Sequence, residues 1–169
     1  HGAGNILVQS NGAGTDVTAK SDLISTIGHI TVLGADDVVF TATADIRTGT
    51  TGSINVEAGT GSITMDDNAL LTTGSGDVRL LAAVDVVLGG LSTTGNASVT
   101  ATSGSILDAG DTYRDVIANG LRMVAGTGVG VLGAGVNSIE TTVSTVTARA
   151  TNGGINLLES DGLVVDDVS

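Results

Sequence analysis

A glycine leading into a short alternating aliphatic run recurs every 24 residues: GNILV at Gly4, GHITV at Gly28, GSINV at Gly52 and GDVRL at Gly76. A fixed period of this length confines a chain to repeat architectures, in which each repeat buries its apolar face only against its neighbours. Every interval holds two further short runs bounded by Gly, Asp, Asn or Ser, such as TDVTA and DLIST in the first and DDVVFTATA and DIRTG in the second. Three short strands per period are therefore expected. Ile54 and Val56 alternate with Ser53, Asn55 and Glu57, the period-2 pattern of a half-buried strand. No stretch sustains a helical i, i+3, i+4, i+7 stripe, and glycine at this density would cost a helix about 1 kcal/mol per residue relative to alanine.

Equivalent aliphatics one period apart stack like on like when strands run parallel at roughly 4.8 Å. Asn-Gly pairs at Asn11, Asn119 and Asn152 are hairpin signals, but they fall between strand groups and centre no symmetric alternation. The register loosens after Gly76. GNASV follows at Gly95, GSILD at Gly104, and GDTYRDVIANGLRMV reads as a coil carrying a small insertion, before GVGVL, TTVSTVTARA and GGINLLESDGLVV continue the pattern. The expected fold is all-β: a right-handed single-stranded parallel β-helix, with about 24 residues and three short strands per coil and about seven coils. Residues 1–169 form one solenoid segment on this reading.

Composition removes the competing classes. Of 169 residues 26 are Gly, there is no Pro, Cys or Trp, and Tyr and Phe occur once each, so Val, Ile, Leu and Ala must build the core. Charged residues make up only 14%, which argues against disorder. No apolar run approaches the roughly 18–20 residues of a membrane span. A net charge of -12 with six basic residues repels phosphate backbones and anionic headgroups, so neither nucleic acid nor a membrane is an expected partner. The sequence opens at His1 without a Met or a leader, and the expectation is an excised piece of a longer protein. Both ends carry the strand grammar of the interior with no capping element in sight, so the segment reads as one unit of a tandem array or of a fibre stacked end to end.

Calcium is the strongest candidate ligand, because paired carboxylates at corners supply hard oxygen donors. The pairs are Asp36 with Asp37, Asp66 with Asp67, Asp108 with Asp111 and Asp115, and Asp166 with Asp167. The G-G-x-G-x-D calcium repeat is absent, GAGTD at Gly12 being only a fragment of it. Glycan cleavage needs paired carboxylates in an aromatic-lined groove, and a chain with one Lys, one Tyr and one Phe offers little of that. His29 sits at an outward position with no nucleophile motif beside it. G-x-G-x-x-G at Gly128, Gly130 and Gly133 precedes a β-branched run instead of a helix, which rejects a dinucleotide fingerprint. Thr-x-Thr phrases recur too irregularly for an ice-binding face. No enzyme activity and no cofactor other than calcium is expected. Tyr113 and Arg114, within the GDTYRD insertion, are the candidate contact residues.

The stretches from Gly61 to Asp111 and from Gly120 to Val165 resemble the repeats of very large filamentous-haemagglutinin-like and adhesin-like bacterial surface proteins. The resemblance covers essentially the whole chain. It implies a β-helix stalk, an extracellular or cell-surface location, and a role in filament formation, surface architecture or adhesion. The expected function is a structural repeat module that self-associates end to end. The alternative is an adhesin module recognising a glycan or a cell-surface partner.

Overall fold

The computed structural model describes residues 2–133 and 137–168; His1 lies outside them. The first coil contributes β1 (Ile6–Gln9), β2 (Val17–Ala19) and β3 (Leu23–Ser25), and the second β4 (Ile30–Gly34), β5 (Val38–Phe40) and β6 (Ile46–Thr48). The third supplies β7 (Ile54–Ala58), β8 (Ile63–Met65) and β9 (Leu70–Thr72), the fourth β10 (Val78–Ala82), β11 (Val86–Leu88) and β12 (Gly90–Ser92). There follow β13 (Asn96–Ala101), β14 (Ile106–Asp108), the long β15 (Val116–Ala125) and β16 (Ile139–Ala150), then β17 (Leu157–Glu159) and β18 (Val164–Val165). Every ladder among the described residues is parallel, and equivalent strands of successive coils pair in sequence order. The fold is a parallel β-solenoid with a spacing of about 24 residues and about six turns, where the sequence predicts about seven.

The register explains the repeated phrase. Ile6, Ile30, Ile54, Val78 and Ala97 occupy one column, and Val8, Val32, Val56, Leu80 and Val99 the next inward one. On the second face Val17, Val38, Ile63, Val86 and Ile106 stack, and on the third Leu23, Ile46, Leu71, Leu91 and Val116. From Ile30 onward these inward side chains are buried in one continuous core. Aliphatics suffice because a narrow bore closed by backbone on three sides leaves little volume for rings; Phe40 is the one buried aromatic among the described residues.

The glycine of the phrase answers to a close approach. A Cβ on Gly28 would strike the carbonyl oxygen of Gly4, one on Gly52 that of Gly28, and one on Gly76 that of Gly52. The same carbonyls accept hydrogen bonds from a buried hydroxyl column: Ser25 Oγ donates to Gly4 O at 2.8 Å, Thr48 Oγ1 to Gly28 O at 2.5 Å and Thr73 Oγ1 to Gly52 O. A bulkier residue would break the approach and the hydroxyl contact together.

Two departures from three separate strands per coil have a local cause. The turn from the third face to the first is Gly49–Ser53 in the second coil, but only Asn119 and Gly120 in the coil of β15 and Ser144 and Thr145 in that of β16. With no loop to swing the chain round, β15 and β16 each run through the corner and serve both faces. Between β11 and β12 the turn shrinks to Gly89, which helps shorten that coil so that Asn96 lies 19 residues beyond Asp77, its partner in the stack.

Gly52→Ala is expected to lower the unfolding free energy by about 1–3 kcal/mol, the usual cost of overpacking. Gly4→Ala, where an added Cβ meets nothing within 4 Å, is expected to leave it unchanged; chemical denaturation of both variants checks the contrast.

Candidate functional site

Most acidic side chains of the solenoid serve the backbone. At many corners between faces, a side-chain acceptor takes the N–H of the equivalent residue one coil later. Ahead of the first face, His29 N donates to Asn5 Oδ1 at 2.9 Å, Ser53 N to His29 Nδ1 at 3.1 Å and Asn96 N to Asp77 Oδ1 at 2.8 Å. Ahead of the second, Asp37 N donates to Asp16 at 3.1 Å, Ser62 N to Asp37 at 2.7 Å and Ser105 N to Asp85 at 2.7 Å. Ahead of the third, Asp45 N donates to Asp22 at 3.1 Å, Leu70 N to Asp45 at 3.0 Å and Glu140 N to Asp115 Oδ2 at 2.9 Å. Corner residues lie beyond the strand ladder, so these carboxylates and amides satisfy donors that would otherwise lack a partner. His29 is exposed at an outward position, but its ring is a link in this chain of acceptors.

The paired aspartates are divided among such duties. Asp36 accepts from Thr60 Oγ1 at 2.8 Å while Asp37 holds Ser62. Asp66 accepts from Asn68 N at 3.0 Å, whereas Asp67 accepts from Thr112 N at 3.0 Å and from the Thr112 hydroxyl, anchoring the insertion two coils away. Asp166 accepts from Asp167 N at 2.8 Å, on the exposed tail. None of these pairs converges with a third carboxylate among the described residues.

One group does converge. Asp108 at the end of β14, Asp115 just before β15 and Glu140 in β16 bring ligand oxygens within 4.8 Å of one another. The sequence pairs Asp108 with Asp111 and Asp115; Asp115 joins the group, while Asp111 lies exposed in the insertion outside it. Glu140 is invisible to a reading of neighbouring acids because it comes from the next coil. The signal that finds it is register: DVIA at Asp115 repeats DLIS at Asp22 and DIRT at Asp45, and one coil further on stands Glu140.

Asp115 is 0% exposed. Burial, followed by the charges of Asp108 and Glu140, pushes its carboxyl up to about 9 against the opposing Glu140 N–H. Asp108 is raised as well, chiefly by burial. Asp115 Oδ1 and Glu140 Oε2 are buried and receive no hydrogen bond among the described residues.

The insertion beside this group is tied down at three points. Thr112 holds Asp67, the Tyr113 ring lies over Gly90, where a side chain would meet it, and Arg114 donates to Ser160 Oγ at 2.6 Å and to Thr142 Oγ1. Tyr113 remains 42% exposed. Arg114 therefore bridges the insertion to later coils, and both residues of the pair stay exposed to solvent.

No family model, curated protein or solved structure matches the chain. What stands on its own is a parallel β-solenoid with repeat character.

His29→Ala is expected to cost about 1 kcal/mol through the orphaned Ser53 N–H, and His29→Asn, which restores the residue used at positions 5 and 96, to recover most of it in denaturant titrations. In chelator, Asp115 keeps in the folded state a proton that the unfolded chain releases above the ordinary aspartate value of 3.8. Its contribution to stability is then full below about pH 4 and declines as pH rises towards 9. With Asp108, Asp111 and Glu140 unchanged, Asp115→Asn is expected to flatten the decline in melting temperature between pH 5 and 9; parallel slopes for the two proteins would contradict it.

Proposed function

We propose that this chain is a structural repeat module of an extracellular filament or cell-surface stalk, extended end to end by further coils of the same kind. The observation that carries the reading is the open edge at each end of the described solenoid. β1 and β2 are paired on one side only, and on its outer side β3 meets no strand, only the isolated bridge between Ser25 and Gly2. In the last coil Val165 occupies the column of the buried Val146, yet it is 79% exposed. Open parallel edges of this kind template further strands, and the next coil, in the same chain or in another copy, is the surface that fits them.

A non-enzymatic role agrees with the way the carboxylates are used. About half hold backbone or hydroxyl donors of a neighbouring coil, and the most perturbed carboxyl, that of Asp115, is wholly buried. The resemblance to haemagglutinin-like surface repeats is consistent with such a stalk and supplies the extracellular setting of the proposal.

One observation favours an adhesin as the second reading. Arg79 and Arg122, with Asp77, Asn96, Ser98 and Val168, line an open groove on the first face. Mixed charged and amide groups of this type suit the hydroxyls of a glycan.

Electron microscopy and sedimentation of the purified chain are the test. The proposal expects concentration-dependent thin filaments, and their loss in Val165→Lys with circular dichroism unchanged. A chain that stays monomeric, with amides of its first and last coils as protected from exchange as those of the centre, would count against it. Glycan binding abolished by Arg79→Ala with Arg122→Ala would shift the assignment to the adhesin.

A further inference from the structure

Three carboxylates meet where the 109–114 insertion leaves and rejoins the solenoid. Asp108 stands at its entry and Asp115 at its exit, and Glu140 stacks on Asp115 from the following coil. Each is oriented through one oxygen by a donor of its own: Gly110 N donates to Asp108 Oδ1 at 2.6 Å, Glu140 N to Asp115 Oδ2 at 2.9 Å and Ser138 Oγ to Glu140 Oε1 at 2.6 Å. This is the outer-sphere bonding that aims carboxylates at a metal. The second oxygens of Asp115 and Glu140 are buried and unpartnered among the described residues, and Asp115 is a wholly buried side chain.

Among the described residues no cation of the protein serves the group. The two ion pairs among the described residues, Arg47 with Asp45 and Arg79 with Glu57, lie elsewhere. Arg114, next to Asp115 in the chain, donates to Thr142 and Ser160 instead. The earlier aspartates of the same column, Asp22 and Asp45, accept N–H groups without a second and third carboxylate gathered round them. The trio is thus a local departure from the ladder, and only this coil carries the insertion.

We propose that Asp108, Asp115 and Glu140 form a divalent-cation site suited to calcium, which clamps the two feet of the insertion to the next coil. The donor set is all oxygen, which selects hard cations over zinc or copper. Oxygens that all lie within 4.8 Å of one another are close enough to share one cation, and the loose coordination of calcium accepts carboxylates fixed by separate donors more readily than the near-ideal octahedron that magnesium demands. Asp108 is only half-buried, so water has access to complete a calcium shell.

The site does not depend on whether the solenoid is extended into a filament, and its test leaves association aside. Tyr113, the only tyrosine, lines the same surface depression as Glu140, so terbium bound at the site should emit when the tyrosine is excited. With the full chain after chelator treatment, the expected result is saturable emission at one terbium per chain, displaced by calcium at least tenfold more effectively than by magnesium. Asp115→Asn and Glu140→Gln should each weaken it at least tenfold, and Asp36→Asn with Asp37→Asn should leave it intact. Calcium should also raise the melting temperature of the wild type and of neither site variant, a readout that serves should one variant fold poorly. The idea falls if emission does not saturate, if the site variants bind as the wild type does, or if calcium leaves the melting temperature unmoved, the outcome expected of carboxyls that merely share a proton.

Discussion

Each backbone N–H in a coil needs a carbonyl in the coil beside it, and the spacing of roughly 4.8 Å that this sets governs the rest of the molecule. At that distance a side chain rests on its counterpart one coil away before it meets anything else. Aliphatics therefore stack in columns, hydroxyls stack near carbonyls, and a Cβ at Gly28, Gly52 or Gly76 has nowhere to go. The ladder stops at the corners, and there the chain uses side chains as substitute carbonyls, with Asp, Asn and even the ring of His29 taking the N–H that a strand would have paired.

The regular half of the solenoid is legible in the sequence because its periodicity and its packing are the same fact. GNILV, GHITV, GSINV and GDVRL are what adjacent rungs look like when written in a line, and Ile6, Ile30, Ile54 and Val78 do lie in one column. The later half is harder to read since its corners are cut short. With only Asn119 and Gly120 between faces, β15 becomes one strand where the pattern suggests two, and the coils come to about six instead of seven.

The carboxylate group was legible in part for a related reason. Asp108, Asp111 and Asp115 are close in the chain, which makes them visible, but proximity in sequence says little about contact when the chain loops outward between them. Asp111 is carried away on the insertion, and its place is taken by Glu140, a residue 25 positions beyond Asp115. The paired aspartates at 36–37 and 66–67 mislead in the opposite direction: adjacent residues alternate in direction, so one member of each pair serves a different donor from the other.

The corner acceptors all reach the same way. Asn5 serves residue 29, Asp37 residue 62, Asp45 residue 70 and Asp115 residue 140, each acceptor lying on the earlier coil and each donor on the later. At its corners a rod made of such coils is vectorial: one extremity leaves corner amide hydrogens bare and the other corner acceptor oxygens, while the strand edges present donors and acceptors at both. Two like extremities brought together would set corner donor against corner donor or corner acceptor against corner acceptor, so the corners favour a heterologous joint, in which a rod assembled from copies points in one direction throughout.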